Sequence, residues 1–246
     1  MFDTAGLTRF LALAARMLPW LAGATALAFA VGLTAAARAP HDFQQGATVQ
    51  LMFLHVPSAW LIMLIWGVMS LAAAVTLLWR SPVAAIAAKT AAPIGAAFTF
   101  LCLATGSLWE RPMLGTYWVW DARQTSVLLL LLMYLGLMAL YWTEQQLART
   151  ARLAAVLILA GTTVLPVIRY SVLWWNTLHQ PASLGGIAVP VFHSSMRTPL
   201  LLMALAFGLL FVTLHVAAMR NEILRQRVQA SQLRQAASGD TVEIEA

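Results

Sequence analysis

Three tryptophans, a tyrosine and four charges crowd into the stretch 109–126, W-E-R-P-M-L-G-T-Y-W-V-W-D-A-R-Q-T-S. Its densest part is Trp118-Val119-Trp120-Asp121-Ala122-Arg123. Indole rings offer flat apolar faces, and arginines offer fork-shaped donors that match carboxylates. Together they suit a flat, apolar ligand with a charged edge. Each residue also has a plainer reading. Aromatic residues at a membrane interface form a belt. Asp121 with Gln124 three residues on makes a capping-box pattern for a helix start. Capping and ligand contact are compatible, because a capped helix fixes the loop before it. Arg111 and Arg123 suit ligand carboxylates or, equally, Asp121 and Glu110.

The histidines are the other groups able to do chemistry. His41, His55, His179 and His193 flank the apolar runs near the tryptophans, and His215 alone stands near the opposite end. A single histidine at such an edge is ordinarily an interfacial residue. Two of them beside a tryptophan platform suggest more. Imidazole is a ready ligand for haem iron, and one from each side of the ring plane makes the iron six-coordinate. His55 stands at the mouth of an apolar run as Leu54-His55-Val56-Pro57, and His179 ends Trp174-Trp175-Asn176-Thr177-Leu178-His179. Both are placed to reach a plane resting on the Trp-rich stretch.

The elements that must hold these groups follow from composition. The chain has 246 residues, of which 61% are hydrophobic and 10% charged; soluble domains carry about 25% charged residues. Long uncharged intervals approach or exceed the ~20 apolar residues that a bilayer-spanning helix needs. The fold class is therefore all-α, a polytopic integral membrane protein. Six spans are expected: 17–37, from His55 to about Trp79, 91–108, 125–142, 153–168 and 198–219. Pro57 is expected in the first turn of the second span, with His55 at or just before its start. The interval 170–196 is broken by Pro181, Gly185, Gly186 and Pro190, and reads as a loop that opens with an interfacial helix. Residues 1–220 form one membrane domain that includes the loop 109–126, and 221–246 form a C-terminal tail.

Six spans put both ends on one side. Ten Lys and Arg fall there against five on the other, which makes both ends cytoplasmic. The Trp-rich loop then faces outward, towards the periplasm of a bacterial cell with this protein in its inner membrane. The segment Ala35–Pro40 loosely imitates a signal-peptidase site, but the apolar run before it is long, and it reads as an uncleaved first span.

Several function classes fall away. The charge of +6 comes from arginines in loops and tail. It reads as topology and lipid contact, not nucleic-acid binding. Cys102 is the only cysteine and lies in an apolar run, which argues against thiol redox chemistry. The only lysine, Lys89, follows Ala, so no phosphate-binding loop is present and any nucleotide-driven step belongs to another chain. No Ser-His-Asp set appears. The expectation is a holder, not an enzyme.

Gly115-Thr116-Tyr117-Trp118-Val119-Trp120-Asp121-Ala122-Arg123-Gln124-Thr125 looks like the tryptophan-rich WWD signature of haem-handling proteins. With Leu54-His55-Val56-Pro57, Trp174-Trp175-Asn176-Thr177-Leu178-His179-Gln180 and six spans, the chain resembles the CcmC family of cytochrome c maturation system I. The similarity runs from Pro40 to about Arg220. It departs from the usual pattern at Leu114, where Trp often stands, at Glu110 for Gly, and at Gln124 for Leu.

The resemblance implies that His55 and His179 are the axial ligands of haem b, and that His193 is not a ligand. It implies that Trp118, Trp120 and Asp121, with Tyr117 and Arg123, form the outer platform. It further implies presentation of haem at the periplasmic face to the chaperone CcmE, with CcmD and the ABC pair CcmA and CcmB as partners. A transmembrane haem exporter subunit is the alternative, and a b-type electron carrier is a third reading.

Overall fold

In a computed structural model, residues 4–41, 46–143, 147–175 and 194–243 are described. Among them there are helices and no strand elements: α1 (Thr4–Ala37), a 3-10 turn (Ala47–Leu51), α2 (Met52–Trp79), α3 (Pro82–Leu114), α4 (Ala122–Thr143), α5 (Leu147–Gly161), α6 (Val164–Trp174) and α7 (Ser194–Glu243). Six helical segments are long and apolar enough to cross a bilayer, with α5 and α6 together forming the fifth. The six-span expectation stands.

Lipid offers no hydrophobic force between helices, so close packing and internal polar contacts must join them. The core lies where α2 meets α3, α4 and α5. Trp66, Ile65 and Met69 of α2 are fully buried, as are Ala91 and Ala92 of α3 and Tyr134 of α4. Trp66 and Tyr134 meet edge to face at 4.8 Å, and the Tyr134 hydroxyl donates to the Ile62 carbonyl at 3.3 Å. Tyr134 lies against Gly95, where a Cβ would collide with its ring. Leu71, Phe100 and Leu132 point outward, as lipid-facing side chains do. On the flank, α1 packs along α7, with Phe29 against Phe207 at 5.4 Å and Thr25 Oγ1 within 2.9 Å of Thr213 Oγ1.

Several boundaries differ from the sequence expectations. Pro57 does not mark the first turn of α2. The 3-10 turn runs straight into Met52, so His55 stands on the helix, not before it. The helix sacrifices one rung at Pro57, the one that would have reached the Phe53 carbonyl. The third span continues through Glu110 and Arg111 to Leu114, and the Trp-rich loop shrinks to 115–121. Gly115 ends α3 in the left-handed region at φ 72°, its N–H donating to the Arg111 carbonyl at 2.9 Å. The fifth span does not stop near 168. The helix runs on through Arg169 to Trp174, so the expected interfacial helix is no separate element but the end of α6.

That span is broken at Gly161–Thr163. Pro166 lacks the N–H that would reach the Thr162 carbonyl and crowds that turn. Neighbours stabilise the break: Trp66 Nε1 donates to the Ile158 carbonyl at 3.2 Å, and Thr162 Oγ1 lies 2.7 Å from Ser70 Oγ. Finally, α7 passes Arg220 without interruption, so the tail from 221 to 243 continues the last helix.

Candidate functional site

His55 lies on the inward side of α2, against α3. Its Nδ1 is 2.9 Å from the Cys102 carbonyl oxygen and 3.3 Å from Thr105 Oγ1. A carbonyl only accepts, so Nδ1 is the donor in that contact. The imidazole rests over Gly106, where an added Cβ would stand 2.9 Å from its Cε1. Its edge meets Trp109 at 5.7 Å between centroids. Cys102, Thr105, Gly106 and Trp109 are spaced i, i+3, i+4, i+7, which is one face of a helix. Trp109 belongs to the last turns of α3, so the same face that seats His55 leads into the Trp-rich loop.

The loop itself is held by local bonds. Thr116 Oγ1 accepts from the Trp118 N–H at 3.4 Å and donates to the Trp118 carbonyl at 3.2 Å. Asp121 Oδ1 accepts from the Gln124 N–H at 2.7 Å, and Gln124 Oε1 accepts from the Val119 N–H at 3.1 Å. This is the expected capping box in a displaced form. The returning side chain bonds the N–H two residues before the cap. One Asp121 oxygen is thus engaged in starting α4.

The rings divide by exposure. Trp120 is 76% exposed and Tyr117 48% exposed. Trp118 is half-buried beside Trp120, with centroids 5.4 Å apart at 72°. Trp118 Nε1 is enclosed and has no acceptor among the described residues. The Arg111 guanidinium lies 4.6 Å over the Tyr117 ring. Arg123, in the first turn of α4, is partly buried and within electrostatic reach of both Asp121 and Arg169. Arg169 in turn lies 5.6 Å over the ring of Tyr170, which packs on Trp174 at 5.7 Å.

The structure therefore gathers Tyr117, Trp118, Trp120, Asp121 and Arg123 around one loop, with His55 seated at the root of the helix end that feeds it. His179 and His193 lie outside the described residues. Sequence reasoning missed the seat of small residues on α3 and the approach of Arg169 to Arg123. The seat left a signal, the helical spacing of Cys102, Thr105, Gly106 and Trp109. The second arginine left none, because it comes from a distant span.

Comparison with known proteins converges. The family model described as CcmC, Heme exporter protein C, matches residues 1–234. A "Heme exporter protein C" of Bradyrhizobium diazoefficiens is 63% identical over 236 residues, covering 96% of this chain and 90% of the relative. That of Escherichia coli strain K12 is 44% identical over 208 residues, 84% of each chain. That of Paracoccus denitrificans is 40% identical over 230 residues, 93% of this chain and 95% of the relative. With a family match along nearly its whole length and these identities, the chain belongs to the CcmC, or heme exporter protein C, family.

Proposed function

We propose that this protein holds haem b at the periplasmic face of the bacterial inner membrane and delivers it to the haem chaperone CcmE for c-type cytochrome biogenesis. The observation that carries this reading is the state of His55. Its Nδ1–H is committed to the Cys102 carbonyl, so Nε2 is the nitrogen proposed to meet the iron. Metal-binding histidines are commonly held this way, through a backbone carbonyl on the other nitrogen. When bound, haem supplies an iron that takes two axial nitrogens and a ring edge bearing two carboxylates.

The residues present fit such a ligand. His55 supplies one nitrogen, and His179 is the proposed second. Trp118, Trp120 and Tyr117 offer apolar faces. The enclosed Trp118 N–H is a donor looking for an acceptor, and a propionate oxygen is one. Arg111 and Arg123 supply positive charge. Asp121 mainly fixes the loop by capping α4. On this reading the chain acts as a holder and not as an enzyme. Release follows when docking of the acceptor exchanges these contacts for its own. CcmD and the ABC pair CcmA and CcmB are the proposed companions. The arginine bias of ten against five supports cytoplasmic termini.

The test is the absorption spectrum of the purified full chain with His55→Ala, His179→Ala and both. Haem content is expected to fall at least about tenfold in each single variant, with loss of the low-spin bands and of CcmE loading. A double variant that keeps a six-coordinate low-spin spectrum overturns the ligand assignment. The alternative, a transmembrane exporter subunit working with an ABC transporter, is favoured by the printed name of the relatives. It requires polar groups lining a path through the spans. The buried hydroxyls of Thr76, Thr90 and Thr99 instead donate to carbonyls of their own helices, and His215 bonds the Ala87 carbonyl at 3.0 Å. These contacts support the holder.

A further inference from the structure

We infer that Gly106 and the Cys102 carbonyl form a seat that selects the Nδ1–H tautomer of His55, which makes Gly106 a positioning residue for the haem ligand. The inference rests on the haem reading only for its consequence; the tautomer itself is independent of any ligand.

Two oxygen acceptors lie within 3.3 Å of Nδ1, while the Cys102 thiol is further off at 3.9 Å. The Cys102 carbonyl lies at 2.9 Å. Thr105 Oγ1 lies at 3.3 Å, but its single hydrogen is already directed to the Leu101 carbonyl at 2.7 Å and the Cys102 carbonyl at 3.2 Å. That hydroxyl can only accept from the imidazole. The opposite tautomer would place a lone pair at Nδ1 against two oxygen lone pairs at a part-buried helix interface. The seat works only if the ring comes this close, and Gly106 is what lets it. An added Cβ would stand 2.9 Å from Cε1 and 3.2 Å from Nδ1, closer than carbon atoms tolerate. Helix α3 is a continuous α-helix at this point, so backbone freedom is not the reason for glycine here; the absent side chain is. A glycine in a helix interior is a local liability, which the close approach of His55 explains. Alanine would push the ring off α3 and lengthen both bonds to Nδ1. Nε2 would lose its fixed direction and its assured lone pair.

The test is nitrogen-15 NMR of the full chain labelled at histidine, purified without haem, with the His55 signals assigned by their loss in His55→Gln. The expected result is a protonated Nδ1 and an unprotonated Nε2 above neutral pH. Gly106→Ala should give a mixture of tautomers or the Nε2–H form. Thr105→Val, which removes one acceptor, should move the Nδ1 signal less. In haem-loaded preparations, Gly106→Ala should lower haem retention about tenfold, the scale typical of outer-shell partners, and shift bound haem from low-spin towards high-spin.

An Nε2–H tautomer in the parent chain overturns the inference, and so does a Gly106→Ala chain with unchanged tautomer and unchanged haem spectrum. The parent measurement needs no variant, so a Gly106→Ala chain that fails to fold does not shelter the idea. The haem reading fails separately. If His55→Ala keeps low-spin haem while the Nδ1–H tautomer is found, the seat stands and the ligand assignment falls. If His55→Ala loses haem while Gly106→Ala changes nothing, the ligand assignment stands and the seat falls.

Discussion

The two ends of α3 are built on opposite plans. Near its start, Lys89 donates to Glu222 of α7 at 2.8 Å. The same carboxylate takes Arg225 through Nε and Nη2, both at 2.9 Å, and Gln226 at 2.8 Å. Beneath this cluster, Ile86, Met219 and Ile223 pack with Leu7, Phe10 and Leu11 of α1. Every oxygen of Glu222 is satisfied and the apolar neighbours are covered. About 20 residues further along α3, a rise of ~30 Å and so one hydrocarbon thickness, the other end is left open. Trp120 is mostly exposed, Tyr117 is half-exposed under a guanidinium, and Trp118 keeps an enclosed N–H with no acceptor among the described residues. A satisfied ionic cluster fastens helices. An incomplete aromatic one leaves a donor unmet, as the proposed ligand site requires. The polar groups at one end are spent on stability; at the other, on the proposed reading, they are held for a ligand.

The largest effect should come from breaking the fastened end. Glu222→Ala leaves Lys89 with its carboxylate gone at a helix interface, and losing one member of a buried pair costs ~3 kcal/mol or more. Since Lys89 keeps 22% side-chain exposure, the expected cost is at the low end of that range, about 3 kcal/mol. Thermal unfolding in detergent should shift down by several degrees while the haem spectrum at matched folded protein stays as in the parent. A change in the spectrum would mean the two ends are coupled and would break the division drawn between them.

A smaller effect sharpens the comparison from the other side. Asp121→Ala removes the bond to the Gln124 N–H and should cost ~1 kcal/mol, the usual value of a helix cap. If Asp121 chiefly holds the loop, Asp121→Asn, which can still cap, should restore stability and haem retention together. If haem retention stays low in a fully stable Asp121→Asn chain, the carboxylate charge itself meets the ligand, and the loop end is more charged in function than its contacts suggest.

Much of this was legible in the sequence, for reasons that particular residues make clear. Spans are written in composition, because lipid demands long uncharged helices, and six were readable. The Asp121 and Gln124 cap was readable because it is local. Boundaries were not. Glu110 and Arg111 look like the end of α3, yet the helix continues to the left-handed cap at Gly115. Pro57 looks like a helix start, yet the preceding 3-10 turn begins the helix sooner. The break at Gly161–Thr163 follows from Pro166, but its tolerance depends on Trp66 and Ser70 from another span. The Lys89–Glu222 pair and the His55 seat share that property. Each joins residues more than forty positions apart, so a local pattern such as the α3 spacing can mark one side of the contact but not its partner.

The smallest effect is the most discriminating, because the two ends predict opposite signs for the loss of a polar group. At the lysine end every polar deletion should cost stability. At the tryptophan end Trp118→Phe deletes an N–H that has no acceptor among the described residues. An unsatisfied buried donor costs ~1–3 kcal/mol, and its removal offsets the packing lost with the smaller ring. The haem-free Trp118→Phe chain should therefore unfold within about 1 kcal/mol of the parent. Haem retention should nonetheless fall several-fold, since the donor that a propionate would have met is gone. Unfolding in detergent and haem titration of the same preparation measure both quantities. A Trp118→Phe chain that is clearly destabilised without haem but binds haem as the parent does would make Trp118 a structural residue, and the plan of this end would then be the same as that of the other.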